Sequence, residues 1–298
     1  MTSIPAQIIA PQVALLLEQL AFDRRTTVVD VGANPLNEAP YTALLQAGGC
    51  NVVGFEPQAL AFERLQQSKT DRETYFPHAV GDGQTKRLRI YEAQGMTSIF
   101  PPDAASMAVI GKPRWSKVIS EVDMLTVALD DLPDLPPFDA LKIDIQGGET
   151  LVFNSAKRVL ATAVCVIVEL RYLRLYHGEP MLHGVDAALR EQGFELHKFL
   201  SNKSSPLANS QLARLNRRRV ADQLIDGDGV YIRDLSRLAA YTVSQLNHLA
   251  LLAASVINSH SLALFALDEL VRRGAASPDL PGAYVDALPQ MLRREDAP

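Results

Sequence analysis

Two acidic residues, each near the end of a run of β-branched residues, are the first candidates for chemistry in this chain. Asp30 lies in the segment VVDVGAN (28–34), and Glu56 lies in VVGFEP (52–57). Such runs predict buried parallel strands, whose carboxyl ends meet at one edge of a sheet. A carboxylate has two oxygens that accept hydrogen bonds from a pair of hydroxyls. The spacing of the two acids is close to the roughly 20 residues typical of ribose-binding sites, so Glu56 is predicted to bind the ribose of an adenosine cofactor.

The turn after Asp30 limits which cofactor fits. It reads GANPLN (32–37), with one glycine, whereas a dinucleotide site needs three in the pattern G-x-G-x-x-G. In a dinucleotide site, the two glycines that are missing here let a diphosphate approach the N-terminus of a helix. S-adenosylmethionine has no diphosphate, so the turn predicts that cofactor. Gly32, Ala33 and Asn34 are expected to line its methionine moiety, with Asp30 either positioning the turn and the cofactor or capping the strand.

Several segments along the chain carry a resemblance to a known family. They are VVDVGAN, VVGFEP, HAVGDG (78–83), LTVALDDL (125–132), FDALKIDIQGGE (138–149) and VCVIVEL (164–170). In this order and spacing they resemble the segments of FkbM-type methyltransferases, over about residues 25–200. Two positions depart from the family pattern, since Leu36 replaces a second glycine and Gln146 replaces a commoner glutamate.

The resemblance implies an α/β fold, the Rossmann-like fold of class I methyltransferases. This fold has a mostly parallel seven-stranded sheet, helices on both faces and an antiparallel last strand, and the alternation of strand-like and helical segments agrees with it. Strands are predicted near residues 27–31, 51–55, 74–80, 138–144, 163–169, 194–199 and 228–233. The expected domains are a methyltransferase domain over 1–234, with an N-terminal helix near 12–20 on the sheet edge, and a C-terminal helical module over 235–298.

Three further residues are predicted to lie at the cofactor. Pro57 follows Glu56, and Asp82 follows the third strand, where it reaches the adenine amino group or forms an ordinary Asp-Gly turn. The resemblance places Ser98 close to the active site. Ser98 belongs to an irregular stretch (95–115) rich in turn formers and aromatics, which predicts either a lid over a pocket or a plain surface loop.

Acids at the ends of the central strands are the candidates for the acceptor side. Asp144 either deprotonates an acceptor hydroxyl or only positions it, and Glu169 has the same place on the next strand. Lys142 is expected to point away from Asp144 and to be structural. His177 is either a base near neutral pH or an ordinary loop residue. No dedicated metal-ligand motif stands in the sequence, so no metal is expected.

Composition limits the partners and the compartment. The chain has 298 residues, 47% of them hydrophobic, and a net charge of −5, which permits a full core and argues against nucleic acid as a partner. Arg214 and Arg217–Arg219 form a basic cluster that is either a solvated surface or an anion site. Cys50 and Cys165 lie in apolar surroundings, which predicts free thiols in a reducing, cytoplasmic compartment. Residues 1–22 are expected to be neither signal peptide nor membrane span.

The predicted function is S-adenosylmethionine-dependent methyl transfer. The resemblance implies O-methylation of a hydroxyl on a sugar, glycolipid or secondary metabolite, hence a small-molecule or glycan acceptor. Two alternatives are a cofactor-binding or scaffold protein without catalysis and an NAD-dependent oxidoreductase. The C-terminal helices carry apolar residues at helical spacing, which predicts burial against the core or pairing with a second copy in a homodimer.

Overall fold

The computed structural model describes residues 9–36, 38–93 and 95–294 of the chain. Its strands are β1 Thr26–Val31, β2 Cys50–Phe55, β3 Glu73–Phe76, β4 Ala79–Val80, β5 Thr85–Tyr91, β6 Val118–Val127, β7 Ala140–Ile143, β8 Cys165–Arg171, β9 Phe194–Ser205 and β10 Gln223–Arg233. Its α-helices are α1 Pro11–Gln19, α2 Thr42–Gln46, α3 Ala59–Ser68, α4 Ala104–Val109, α5 Glu149–Ser155, α6 Lys157–Leu160, α7 Leu182–Arg190, α8 Val243–Ser255, α9 His260–Arg272 and α10 Leu280–Asp286.

The main sheet has seven strands in the order β3-β2-β1-β7-β8-β10-β9. From β3 to β8 the neighbours are parallel, and β10 runs antiparallel to both β8 and β9. The predicted Rossmann-like fold with an antiparallel last strand is confirmed. The strand order reverses between β1 and β7, and ligands of open α/β sheets bind outside the carboxyl ends of the strands at such a switch point.

Burial on both faces explains the apolar strands. Every residue of β1 and of β8 is buried, as expected for parallel strands covered by helices on two sides. Val29, Val166 and Val168 pack in one core with residues of α5, α6 and α7. Val28 and Ile167 point to the opposite face, where they pack with α1 and the C-terminal helices. Alternate residues of one strand therefore belong to two cores.

The C-terminal helices pack directly on the sheet. Residues 246–254 of α8 are all buried, and they share a core with β1, β7 and β8. Thr242 and Gln245 form a capping box that fixes the start of α8. The helix α1 contacts α8 and α10 and packs with them on this face, so the expected position of α1 on the sheet edge is wrong. Pairing with a second copy through these helices stays a prediction.

Two predicted segments differ in the structure. The expected strand 74–80 is broken into β3 and β4, because Pro77 has no backbone N–H for a sheet ladder. The strand β4 pairs with β6 in a second, three-stranded sheet of order β4-β6-β5. The predicted strands 194–199 and 228–233 left a long connection between them, but β9 and β10 extend into it and leave a hairpin loop over 206–222.

The stretch between β5 and β6 is packed against the main sheet. Met96, Met107 and Ile110 are buried in one cluster with Tyr176 and Ile225, which belong to the β8–α7 connection and to β10. The stretch also contains α4. This packing argues against a plain surface loop, and a role as a lid over a pocket stays a prediction.

Two further observations bear on compartment and membrane. Cys50 and Cys165 are buried free thiols, as expected, and burial raises the pKa of each to about 12. No helix within the described parts of the chain is long and apolar enough to cross a membrane.

Candidate active site

The turn after β1 lies between the carboxyl ends of β2 and β7. Its first residue, Gly32, has φ +81°, and a Cβ there would overlap the backbone carbonyl of Asp144. The amides of Gly32 and Ala33 donate to Phe55 O over 3.0 and 3.1 Å. The group that approaches this glycine is the backbone after β7, and contact of Gly32 with the methionine moiety of the cofactor stays a prediction. Only glycine combines this backbone conformation with this contact.

The next two residues of the turn differ in exposure. Ala33 is buried against Leu65 and Tyr75, so its side chain contributes to the core. Asn34 is half-buried, and its carbonyl accepts a hydrogen bond from Leu36 N over 2.9 Å. The turn thus holds its shape with leucine at the position where the family pattern has glycine. Contact of either residue with a cofactor stays a prediction.

Asp30 is buried and tied to its neighbours. Tyr41 Oη donates to Asp30 Oδ2 over 2.5 Å, and Lys142 Nζ lies 3.1 Å from Asp30 Oδ1. Lys142 also donates to Gly32 O over 3.2 Å. Burial lowers the pKa of Lys142, but Asp30 and Asp144 raise it by more. These contacts support a positioning role for Asp30, which joins β1, its turn and β7.

The expectation that Lys142 points away from Asp144 was wrong, whereas its contacts with Asp30 and Gly32 agree with the expected structural role. Positions two apart on a strand point to the same face, so Lys142 shares its side of the sheet with Asp144 instead of pointing away. Its ammonium group therefore lies close to the carboxylates of Asp30 and Asp144.

Glu56 follows β2 directly and is 2% exposed. Gln58 N donates to Glu56 Oε1 over 2.8 Å, and from the residues that the structure describes no other hydrogen bond reaches this carboxylate. Burial, with a contribution from Asp30, raises the pKa of Glu56 to about 6, while Gln58 opposes the shift. A pair of ligand hydroxyls would supply the donors that a buried carboxylate requires. Pro57 follows at half-buried exposure, just before α3.

Asp82 is engaged in a turn. Its Oδ1 accepts a hydrogen bond from Gln84 N over 3.1 Å, and its Oδ2 accepts one from Lys86 Nζ over 2.7 Å. Burial raises the pKa of Asp82, but Lys86 and Gln84 lower it by more. These contacts favour the turn alternative, and the adenine contact stays a prediction.

The two acids that were predicted for the acceptor side are brought together by Gln146, which was not among the predicted site residues. Gln146 Nε2 donates to Asp144 Oδ1 over 2.9 Å and to Glu169 Oε2 over 2.7 Å. Arg171 Nη2 donates to the same Glu169 oxygen over 2.7 Å. Burial and the Asp144 carboxylate raise the pKa of Glu169 well above its ordinary value, while Arg171 opposes the shift.

Arg171 lies at the centre of a buried ionic cluster. Its Nη1 lies 3.1 Å from Asp226 Oδ2 and its Nε lies 3.3 Å from Glu179 Oε2. Lys203 Nζ lies 3.0 Å from the other oxygen of Asp226. Arg171 follows Glu169 by two positions on β8, so period-two alternation could have placed both on one face. Asp226 faces Arg171 through the antiparallel pairing of β10 with β8, which has no local signal in the sequence.

Ser98 contacts the loop after β7. Its Oγ donates to Gln146 O over 2.6 Å and accepts a hydrogen bond from Phe100 N. Glu149 holds the same loop from the other side, because its Oε1 accepts hydrogen bonds from Ile145 N and Gly147 N over 3.0 and 3.2 Å. Burial raises the pKa of Glu149 to about 7. Ser98 therefore lies against the loop after β7, next to Gln146, and its role in binding the cofactor stays a prediction.

His177 does not belong to this cluster. Its side chain is 61% exposed, and its Nδ1 lies 3.7 Å from Asp103 Oδ2. Across the described residues no hydrogen bond joins His177 to Asp144 or Glu169. Its catalytic role stays a prediction without a supporting contact. Within the same residues, no set of three or more His, Cys, Asp or Glu side chains is arranged to hold a metal ion.

The fold and the site together define a Rossmann-like α/β protein with an acid at the end of β2 and an acid pair at the ends of β7 and β8. The family model of the methyltransferase FkbM domain matches residues 30–196, which is more than half of the chain. The chain belongs to the FkbM methyltransferase family.

Solved structures similar to this chain are distant in sequence. The FkbM methyltransferase from Methylobacillus flagellatus KT is 13% identical over 74% of this chain and 58% of that one, with a TM-score of 0.37. Magnesium protoporphyrin IX methyltransferase from Synechocystis PCC 6803, solved with bound SAM, is 11% identical over 74% and 76%, with a TM-score of 0.37. The comparison with curated proteins found no match.

Proposed function

We propose that this protein is an S-adenosylmethionine-dependent methyltransferase that methylates a hydroxyl oxygen of a small-molecule or glycan acceptor. Family membership supports methyl transfer. The observation that carries the proposal is the placement of Glu56 and Asp144 at one edge of the sheet, directly after the two strands that flank β1. The turn of Gly32 lies between the two acids, as a cofactor bound by its ribose at one end and presenting its methyl group at the other requires.

The residues at β1 and β2 fit this cofactor. Glu56 has one oxygen held by Gln58, and its other oxygen can accept hydrogen bonds from the ribose hydroxyls. The turn has a single glycine and so suits a cofactor without a diphosphate. When bound, S-adenosylmethionine supplies a methyl group activated by its positively charged sulfur.

Asp144 is the residue that meets the acceptor in this proposal. Its Oδ1 is held by Gln146, and no described residue donates a hydrogen bond to its Oδ2. The free oxygen can orient an acceptor hydroxyl and accept its proton. Alignment of this kind contributes ~7 to 11 kcal/mol, and a general base adds ~10²- to 10⁴-fold in rate. Glu169, fixed by Gln146 and Arg171, anchors Asp144 in this arrangement.

The first experiment is a calorimetric titration with S-adenosylmethionine, its demethylated product and NAD. We expect both sulfur compounds to bind, Glu56→Ala to abolish binding, and Glu63→Ala, on the exposed side of α3, to leave it intact. Binding of NAD alone would revive the oxidoreductase alternative. Binding of S-adenosylmethionine without transfer of labelled methyl to any hydroxyl acceptor would favour the scaffold alternative.

Two finer assignments belong to the same proposal. The free buried thiols of Cys50 and Cys165 support a reducing, cytoplasmic compartment.

Matched acceptors that carry a hydroxyl or an amine at the same position would distinguish O-methylation from N-methylation.

A further inference from the structure

Gln146 has an unusual backbone conformation that its neighbours maintain. Its φ is +58°, in the left-handed region that favours glycine. Ser98 Oγ holds its carbonyl, and Glu149 holds the amide of the next residue, Gly147. A strained residue persists where surrounding contacts determine its conformation, and such residues concentrate at functional sites. The loop therefore points the Gln146 side chain in a fixed direction.

The side-chain amide of Gln146 is hydrogen-bonded at both its nitrogen and its oxygen. Its nitrogen donates to Asp144 Oδ1 and to Glu169 Oε2. Its oxygen accepts from Arg171 Nη2 over 3.1 Å, and it lies 3.0 Å from Tyr176 Oη, whose single proton also has Met96 O as an acceptor at 2.8 Å. The network also fixes which end of the amide is which, because an oxygen facing two carboxylates would have no donor.

The surroundings of this amide carry more acids than bases. The charged and titratable groups on the elements packed around it are Asp144, Glu149, Glu169, Arg171, Tyr176, Glu179, Asp226, Asp228, Lys203, Lys142 and Asp30. Arg171 is already shared among three carboxylates. A neutral donor at position 146 links Asp144 to Glu169 without adding another negative charge.

We propose that Gln146 is a positioning residue for the acceptor side of the site. Its amide binds one oxygen of Asp144, leaves the other oxygen directed at the acceptor hydroxyl, and separates Asp144 from Glu169 as a neutral spacer. This inference rests on the proposed function, since Asp144 is the residue through which Gln146 acts. A carboxylate at position 146 would stand within hydrogen-bond distance of two others, so it would retain a proton or displace Asp144.

The test compares two variants. Gln146→Met keeps the length of the side chain but loses its hydrogen bonds, and Gln146→Glu adds a negative charge. Gln67→Glu, at an exposed position of α3, is the matched control. Steady-state kinetics with labelled S-adenosylmethionine, its binding affinity, and melting temperature are measured from pH 6 to pH 8 in the presence of EDTA. EDTA prevents a divalent cation from neutralising the added carboxylate.

For Gln146→Met we expect kcat to fall ~10²-fold at every pH, the effect of a misplaced reacting group, with cofactor affinity nearly unchanged. For Gln146→Glu we expect a similar loss at pH 8 that shrinks towards pH 6, because a protonated carboxyl can again donate one hydrogen bond. Its melting temperature should also fall relative to the wild type as pH rises. The inference would be overturned if Gln146→Met had a kcat close to that of the wild type. It would also be overturned if kcat of Gln146→Glu depended on pH in the same way as kcat of the wild type.

The stability measurement separates this inference from the proposed function. If the wild-type protein methylates no acceptor, the proposed function fails, but a pH-dependent loss of melting temperature in Gln146→Glu still supports the neutral spacer. A loss of equal size at pH 6 and pH 8, as expected for Gln67→Glu, contradicts it whatever the activity.

Discussion

Gly32, in the turn after β1, lies directly against the backbone carbonyl of Asp144, in the loop after β7. The first residue belongs to the proposed cofactor side of the site and the second to the proposed acceptor side. Their contact leaves no room for a side chain at position 32, so the two sides cannot shift independently. A fixed distance between bound cofactor and acceptor is the main requirement of a displacement reaction.

Gly32→Ala is expected to destabilise the protein by about 2 to 5 kcal/mol, the cost of a positive φ plus that of overpacking. The measurement is urea denaturation. Gly274→Ala is the matched control, because Gly274 also has a positive φ, of +68°, but open space where a Cβ would stand. Equal losses in the two variants would show that the contact with Asp144 tolerates a methyl group.

The affinity for S-adenosylmethionine is expected to depend on pH through Glu56. The pKa of this carboxyl is raised to about 6 by burial, and only the ionised form accepts hydrogen bonds with both oxygens. Affinity should therefore be full above pH 7 and about tenfold weaker at pH 5, following the ionised fraction. Calorimetry at several pH values measures it. Glu56→Gln should bind weakly and without this dependence, and a wild-type affinity that is flat from pH 5 to pH 8 would contradict the role of Glu56.

Asp144→Asn is expected to lower kcat by ~10²- to 10⁴-fold, because an amide cannot accept the proton of the acceptor hydroxyl. The affinity for S-adenosylmethionine should stay within a few-fold of the wild-type value, since Asp144 acts on the acceptor. Kinetics and calorimetry on the same preparation provide both numbers. The exposed Asp134→Asn is the control. A fall in kcat of only a few-fold would leave Asp144 with positioning alone.

Glu149 should make stability depend on pH. Its folded-state pKa is raised to about 7 from an ordinary 4.5, so the folded protein binds the proton more tightly than the unfolded chain. Stability from this group is therefore fully present below about pH 4.5 and is lost as pH rises to about 7, by roughly 3 kcal/mol. Glu149→Gln should remove this part of the pH dependence. In urea denaturation, its free energy of unfolding should therefore increase relative to that of the wild type between pH 5 and pH 8. A constant difference across that range would refute the assignment.

The division of the chain at residue 234 is open to a direct test. Leu252, on α8, is fully buried in the core shared with the main sheet, so Leu252→Ala should cost about 2 to 5 kcal/mol. We expect one cooperative unfolding transition, because helix and sheet share that core. Phe265→Ala, with its side chain 42% exposed, should cost much less. Two separate transitions would support a C-terminal module that folds by itself.

Local patterns were sufficient for much of the fold. The apolar runs that became β1, β2, β7 and β8 are buried on both faces, and such runs identify a strand without knowledge of its partners. Where polar residues pair with one another, as in β9 and β10 beyond residue 201, side-chain pattern carries no such signal. The extent of these strands was therefore underestimated.

The sequence by itself determined which strand ends carry acids, because the order of Asp30, Glu56, Asp144 and Glu169 along the chain and the parallel topology place them at one edge. Tertiary structure alone decided how these acids are held. The contacts of Asp30 with Tyr41, of Asp144 with Gln146 and of Arg171 with Asp226 depend on loop conformations and on an antiparallel pairing, and neither is encoded by local periodicity. Hydrogen bonds of buried charges are short-range and directional, so they are specified only when the backbone is already in place.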